Sequence, residues 1–269
     1  MIKKSSNFLT YGFLTICSIF SVFPLVWMLI ATTNKSVEII GGKLTFGSSF
    51  FENYTNLMKA QNVWGYFGNS FRYAILTTVI SLLICSLAGY AFEVFHDKWK
   101  DLLFKIILMT MMLPFVALMV PLFQMFSSAK LLNSTLGFLL PSIATPFLIM
   151  MFRQCAKAFP MEMIEAARID GLSEIQIFFR MFIPTMKSTF AAATTITFMS
   201  SWNNYLWPKV IMTKSEAQTM PMMLSSLTSG YVTDYGMLML GVFITTIPTI
   251  IIFFVLQKSF TEGITGSVK

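Results

Sequence analysis

Between Phe159 and Pro184 the chain concentrates charge, with Glu162, Glu165, Arg168, Asp170, Glu174 and Arg180 in one stretch. Such groups form ion pairs and charge-assisted hydrogen bonds, and gathered around Gly171 they suit docking against something polar. They include no nucleophile with a base beside it and no metal-ligand spacing. His96, the only histidine, stands next to Asp97 and Lys98 as a loop residue. Cys17, Cys85 and Cys155 fall within or at the edges of apolar stretches, as buried small side chains do, and form neither a disulfide framework nor a metal site. A second group, Trp202, Asn203, Asn204 and Tyr205, combines amides that donate and accept with aromatic faces. Adjacent amides are costly against lipid, so Asn203 and Asn204 are expected in a solute pathway or gate, with Trp202 and Tyr205 beside them. For Trp207 a pathway role and a place in an interfacial aromatic belt are equally open.

The charged stretch must be held by two short helices joined at Gly171. Pro160 suits the first position of one, with Glu162 near its positive end and Arg168 near its negative end. Gly171 suits the left-handed residue that ends a helix. Ser173 and Gln176 have the spacing of a capping box for the second helix, which places Ile175, Phe178, Phe179 and Phe182 on one face. Ala166 and Ala167 permit close backbone approach.

Around this island the chain is apolar. Of its 269 residues 55% are hydrophobic, 28 are Phe and 21 Met, and mean hydropathy is +0.70. A soluble domain of this length has too little core to hide that much apolar surface, so the chain is expected to be an integral membrane protein. Six spans are expected: Phe8–Ala31, Phe67 or Phe71 to Phe92, Leu102–Phe126 with Pro114 and Pro121, Leu136–Phe152 with Pro141 and Pro146, Lys187–Tyr205, and Gly236–Leu256 with Pro248. Prolines in spans call for neighbours that take up freed carbonyls. The length of the first span and the lack of an A-x-A site argue against a cleaved signal peptide. The expected layout is 1–66 as a helix with an external loop, 67–258 as a core carrying the loop 153–187, and 259–269 as a tail.

The formal charge of +7 does not imply nucleic acid, since Lys and Arg in such a chain mark its cytoplasmic side. Twelve of the nineteen fall on the side shared by the termini and the charged island, which puts both termini and the island in the cytoplasm. No G-x-x-x-x-G-K-[ST] pattern occurs, so nucleotide is not expected to bind by that route. The spans lack the central ionisable residues that a proton- or ion-coupled carrier needs. Clustered His, Asp or Cys for an integral-membrane enzyme are missing too.

Glu165-Ala166-Ala167, three residues, Gly171, and then Ile183-Pro184 resembles the EAA loop of ABC importer permeases. The longer run E-A-A-R-I-D-G, with Phe179 and Pro184, is similar to the carbohydrate branch and its MalG-like subunits. Trp202-Asn203 with an aromatic residue and Pro208 after it, and Gly263, Gly266 and Lys269 near the end, resemble the same branch. Met181, Ile183 and Ser188 are small departures. The resemblance implies an all-α fold of the MetI-like, type I importer kind, with six transmembrane helices and a cytoplasmic coupling-helix pair. It implies ATPase coupling through Glu165, Ala166, Ala167, Arg168, Asp170 and Gly171, and loop packing through Phe178, Phe179, Phe182 and Pro184. It further implies a bacterial plasma-membrane importer of oligosaccharides or related sugars, a polyol or polyol phosphate being the alternative. The partners would be a second, MalF-like permease, two ATPase subunits carrying ATP and Mg, and an extracellular solute-binding protein. No cofactor is expected on this chain.

Overall fold

A computed structural model describes residues 2–265, with side chains for residues 10–257; Gly266 and Lys269 of the expected C-terminal ending lie outside the described residues. Every regular element among the described residues is helical. Lipid demands this, because a spanning segment must satisfy its own backbone polar groups.

The helices are α1 (Ile2–Ala31), α2 (Ser36–Ile40), α3 (Phe50–Ala60), α4 (Val63–Val94), α5 (Lys98–Thr110), α6 (Phe115–Ser128), α7 (Thr135–Leu139), α8 (Pro146–Lys157), α9 (Met161–Ile169), α10 (Glu174–Ile177), α11 (Ile183–Thr185), α12 (Lys187–Trp202), α13 (Leu206–Ile211), α14 (Met220–Leu227) and α15 (Tyr235–Thr265). Among the described residues, three segments are long and apolar enough to cross a membrane: Thr10–Ala31, Val63–Val94 and Tyr235–Gln257. Two bent pairs raise the number to five if each counts as one span, α5 with α6 turned by 100° and Thr135–Ser142 with α8 turned by 52°. The protein is therefore an all-α, multi-pass, membrane-embedded chain.

Proline chemistry sets the breaks. Thr145, ahead of Pro146, is extended at φ −83° and ψ 129°, as the pyrrolidine ring requires of its predecessor. Pro114 caps α6 while Pro121 sits within it, so only the first of the two interrupts the stretch that the sequence presents as a single third span. α12 has 16 residues and ends at Trp202, short of the expected Tyr205.

The chain divides into two compact units. In the unit of Met1–Trp64 and Met223–Ile247, Asn53 Nδ2 donates to the carbonyls of Thr32 at 2.9 Å and Asn34 at 3.0 Å. Ser36 Oγ donates to Asp234 Oδ1 at 2.9 Å, and the same carboxylate oxygen accepts from the Gly236 and Met237 amides at the start of α15. Phe13, Phe20 and their neighbours on α1 point outward, as a lipid-facing helix does.

The unit of Gly65–Met222 and Pro248–Lys269 holds three apolar clusters. One of them mounts the two-helix element. A Cβ on Gly89 would stand 2.6 Å from the Arg153 amide nitrogen and 2.7 Å from Phe152 Cβ, so a glycine there lets α4 and α8 touch through their backbones.

Candidate functional site

The first helix of the charged stretch and the hinge after it fold as expected from their local signals, with one shift. Pro160, at φ −62° and ψ 124°, is the cap of α9 and not its first helical residue. At the other end Gly171 takes φ +83°, its amide bonds to the Arg168 carbonyl at 3.1 Å, and the Leu172 amide bonds to the Ala167 carbonyl at 3.0 Å. These paired bonds satisfy the last carbonyls of the helix and reverse the chain. Ser173 Oγ accepts from the Gln176 amide and Gln176 Oε1 from the Ser173 amide, closing the capping box of α10. Arg168 Nε donates to Glu174 Oε1 at 2.6 Å, tying α9 to α10 across the hinge. That hydrogen bond holds the guanidinium pKa above its ordinary value.

The inner side of this element is an aromatic mount. Ile164, Ala167, Ile177, Phe178 and Phe182 are buried against Tyr90 and Val94 of α4, Cys155 and Ala156 of α8, and Phe159. Tyr90 lies 5.4 Å from Phe178 and 5.0 Å from Phe182 between ring centroids, and Phe182 also meets Phe159 at 5.7 Å. The single face expected for the second helix is split, however. Phe178–Phe182 is a π-helical turn in which the Ile183 amide bonds to the Phe178 carbonyl. Pro184 has no N–H for the Arg180 carbonyl, and the wider turn accommodates it. Phe178 and Phe182 face inward, while Ile175 and Phe179 are exposed.

The outer side carries Glu165, Ala166, Arg168, Asp170 and Gly171, all exposed, whereas Ala167 faces the core. Ile169 is 87% exposed, and Ile175 stands exposed near it in sequence. Sequence reasoning missed Ile169, although it sits between Arg168 and Asp170.

Arg153 was also missed. Its Nε donates to Glu93 Oε2 at 3.1 Å and its Nη2 to Asp101 Oδ1 at 2.7 Å, while the guanidinium lies 4.3 Å from the Phe104 ring centroid. It ties α8 to the end of α4 and the start of α5, one turn ahead of the loop into α9.

The second predicted group is divided by the structure. Trp202 is buried, stacked on Phe198 at 6.0 Å and edge-on to Phe67 at 5.4 Å. Asn203, Asn204 and Tyr205 line an opening of about 440 Å³ together with Ser142, Thr145 and Ser200. An adjoining cavity of about 240 Å³ shares Ser142, Thr145, Ser200 and Asn204, and reaches Thr77, Thr197 and Ser201. Trp207 belongs neither to a belt nor to this cleft. It is fully buried and donates Nε1–H to the Gly137 carbonyl at 2.9 Å, which makes it a core anchor.

Among the described residues no three His, Cys, Asp or Glu side chains gather where they could hold a metal.

Residues 86–266 match the family described as binding-protein-dependent transport system inner membrane component. The lactose transport system permease protein LacG of Rhizobium radiobacter is 43% identical over 267 residues, covering 99% of this chain and 98% of LacG. The arabinooligosaccharides transport system permease protein AraQ of Halalkalibacterium halodurans is 36% identical, covering 97% and 95%. A crystal structure of a bacterial ABC transporter involved in the import of the acidic polysaccharide alginate contains a chain that superposes with a TM-score of 0.84 at 22% identity. The match covers 96% of this chain and 97% of that one, and it shows a shared fold. The chain belongs to the family of binding-protein-dependent transport system inner membrane components, a transport permease of ABC-importer type and not a catalytic domain.

Proposed function

We propose that the chain is a MalG-like permease subunit of an ATP-driven importer of oligosaccharides or related sugars, forming half of the translocation pathway. The observation that carries this reading is the two-sided build of the α9–α10 element. Its inner face is buried in an aromatic core shared with α4 and α8, while its outer face presents Glu165, Arg168, Ile169 and Asp170. A push on the outer face is therefore carried to the helices that flank the cleft, because packed aromatics yield little.

On this reading the outer face meets a separate ATPase subunit that carries ATP and Mg. A second, MalF-like permease completes the pathway, and an extracellular binding protein delivers the solute. The element and both termini lie in the cytoplasm, and α12 counts as the fifth of six spans despite its 16 residues. The inner-face residues Phe178, Phe182 and Ala167 mount the lever. The exposed Phe179 and Pro184 lie on its flank. Rocking of the attached spans switches the pathway between outward and inward access. The saccharide class is supported by LacG and AraQ, whose names refer to lactose and arabinooligosaccharides. Purification with the associated ATPase and binding protein, followed by uptake into proteoliposomes, tests the reading. Saccharide uptake that needs ATP supports it, and uptake that persists without the ATPase subunit contradicts it.

A further inference from the structure

We propose that the loop running from the end of α1 into α3 is an interfacial anchor, which seats Val37, Ile40, Phe46 and Phe51 in the headgroup layer of the bilayer. The inference goes beyond the importer reading and depends on neither the solute nor the ATPase.

Exposure is the first observation. Val37, Ile40, Phe46 and Phe51 are between 69% and 80% exposed. On α2 the spacing of three puts Val37 and Ile40 on one side, while Ile39 is buried. Large apolar side chains bared together call for a cover from outside the loop.

Hydrogen bonds then fix where the loop sits, because they weld it to the ends of two spans. The Thr10–Ala31 span has 22 residues, so at 1.5 Å per residue it is about 33 Å long and uses up a hydrocarbon core of roughly 30 Å. The loop folds back onto the residues at its end. Asn34 is buried and donates from Nδ2 to the Ile30 and Thr45 carbonyls, both at 2.9 Å. The Gly47 amide bonds to Thr33 Oγ1 at 2.9 Å and the Ser49 amide to the Thr33 carbonyl at 2.8 Å. A Cβ on Gly47 would stand 2.5 Å from both the Thr33 carbonyl oxygen and Asn34 Oδ1, so the close approach requires a glycine. Asn53 adds its two bonds to the Thr32 and Asn34 carbonyls. On the other side Ser36 Oγ accepts from the Tyr235 amide at 2.9 Å and donates to Asp234, where the Tyr235–Gln257 span begins.

Phe46 therefore stands between two pinned residues, Thr45 and Gly47, and Val37 stands beside a third, Ser36. Neighbouring Cα atoms are only about 3.8 Å apart. The headgroup region extends roughly 5–8 Å beyond the core on each side, so these side chains start at its depth.

Charge says which cover fits. Lys35, Glu38, Lys43 and Glu52 are the charged residues between Thr32 and Asn53, and all four are paired within the loop, Lys43 with Glu38 at 2.7 Å and Lys35 with Glu52 at 3.9 Å. The loop is net neutral and keeps no free charge for a protein partner to match. Apolar side chains beside self-neutralised charges suit the boundary between headgroups and acyl chains, and they continue the outward-facing apolar surface of α1.

The test places a nitroxide on Val37→Cys or Phe46→Cys, each in a chain whose Cys17, Cys85 and Cys155 are replaced by Ala. Electron paramagnetic resonance of the purified complex in lipid nanodiscs reads accessibility to oxygen, which concentrates in lipid, and to a nickel chelate, which stays in water. Phe20→Cys on α1 is the lipid reference and the exposed Glu216→Cys the water reference. The oxygen-to-nickel ratio at positions 37 and 46 should be severalfold above that at 216 and below that at 20, with and without the solute-binding protein. A ratio equal to that at 216 would put the loop in water, and exclusion of both reagents would show a cover of protein, whether second permease or binding protein; either result overturns the anchor. The two variants should melt as the cysteine-free parent does, because their side chains are exposed, and a lower melt would show them packed within the protein and overturn it too. No solute or nucleotide is added, so a negative outcome leaves the importer reading standing.

Discussion

Arg153 Nη2 donates to Asp101 Oδ1 at 2.7 Å, and this bond fastens α8 to α5 just ahead of the loop that leads into α9. The same guanidinium reaches Glu93 at the end of α4, so one side chain gathers three helices. The α9–α10 element follows that junction in the chain and packs on the aromatic mount.

Removing the junction should loosen it. Arg153→Ala leaves two carboxylates unpaired, and because Asp101 is part-exposed the loss should be about 1–3 kcal/mol rather than that of a fully buried pair. Arg153→Lys should lose about half as much, since an ammonium cannot fork to both carboxylates or stack on Phe104 in the same way. Thermal melts of the purified complex measure both, and an unchanged melt for Arg153→Ala would contradict the clamp.

Phe182 and Phe179 stand three residues apart and should respond differently. Phe182 is fully buried among Tyr90, Phe159, Phe178 and Phe190, so Phe182→Ala should be destabilising by about 3–5 kcal/mol. Phe179 is half-exposed, and Phe179→Ala should change stability by less than about 1 kcal/mol. Melting and membrane yield distinguish them, and equal losses would show that the π-turn does not divide the face.

Gly171 isolates backbone conformation from space. A Cβ there meets nothing, yet φ is +83°, so Gly171→Ala should cost about 1–2 kcal/mol locally through the left-handed backbone alone. Asn tolerates that region better and should disturb coupling less than Ala, with Val worst. Gly171→Asp should insert and assemble but separate ATP hydrolysis from uptake. Binding-protein-stimulated ATPase measured beside solute uptake checks the series, and normal uptake by Gly171→Asp would remove the coupling role.

What the sequence reveals here depends on the range of each determinant. The hinge is legible because Gly171, Ser173 and Gln176 act within a few residues of one another. The break at Pro146 is foreshadowed by the ring's effect on Thr145. The π-turn is not legible, because a proline at 184 is compatible with a kink, a stop or a widened turn. Arg153 is hidden for another reason: its partners lie 60 and 52 residues away, and only the fold brings them together.

The central claim is that the outer face of α9 is a cytoplasmic surface covered by a nucleotide-driven subunit. Ile169→Cys, in a chain whose Cys17, Cys85 and Cys155 are replaced by Ala, puts one thiol at the most exposed apolar position of that face. A membrane-impermeant maleimide applied to right-side-out and inverted vesicles, with and without the ATPase subunit, reads its location directly. The account predicts labelling in inverted vesicles alone, and its loss when the ATPase subunit is bound. Labelling from the outer side, or labelling undiminished by the bound ATPase, would contradict it.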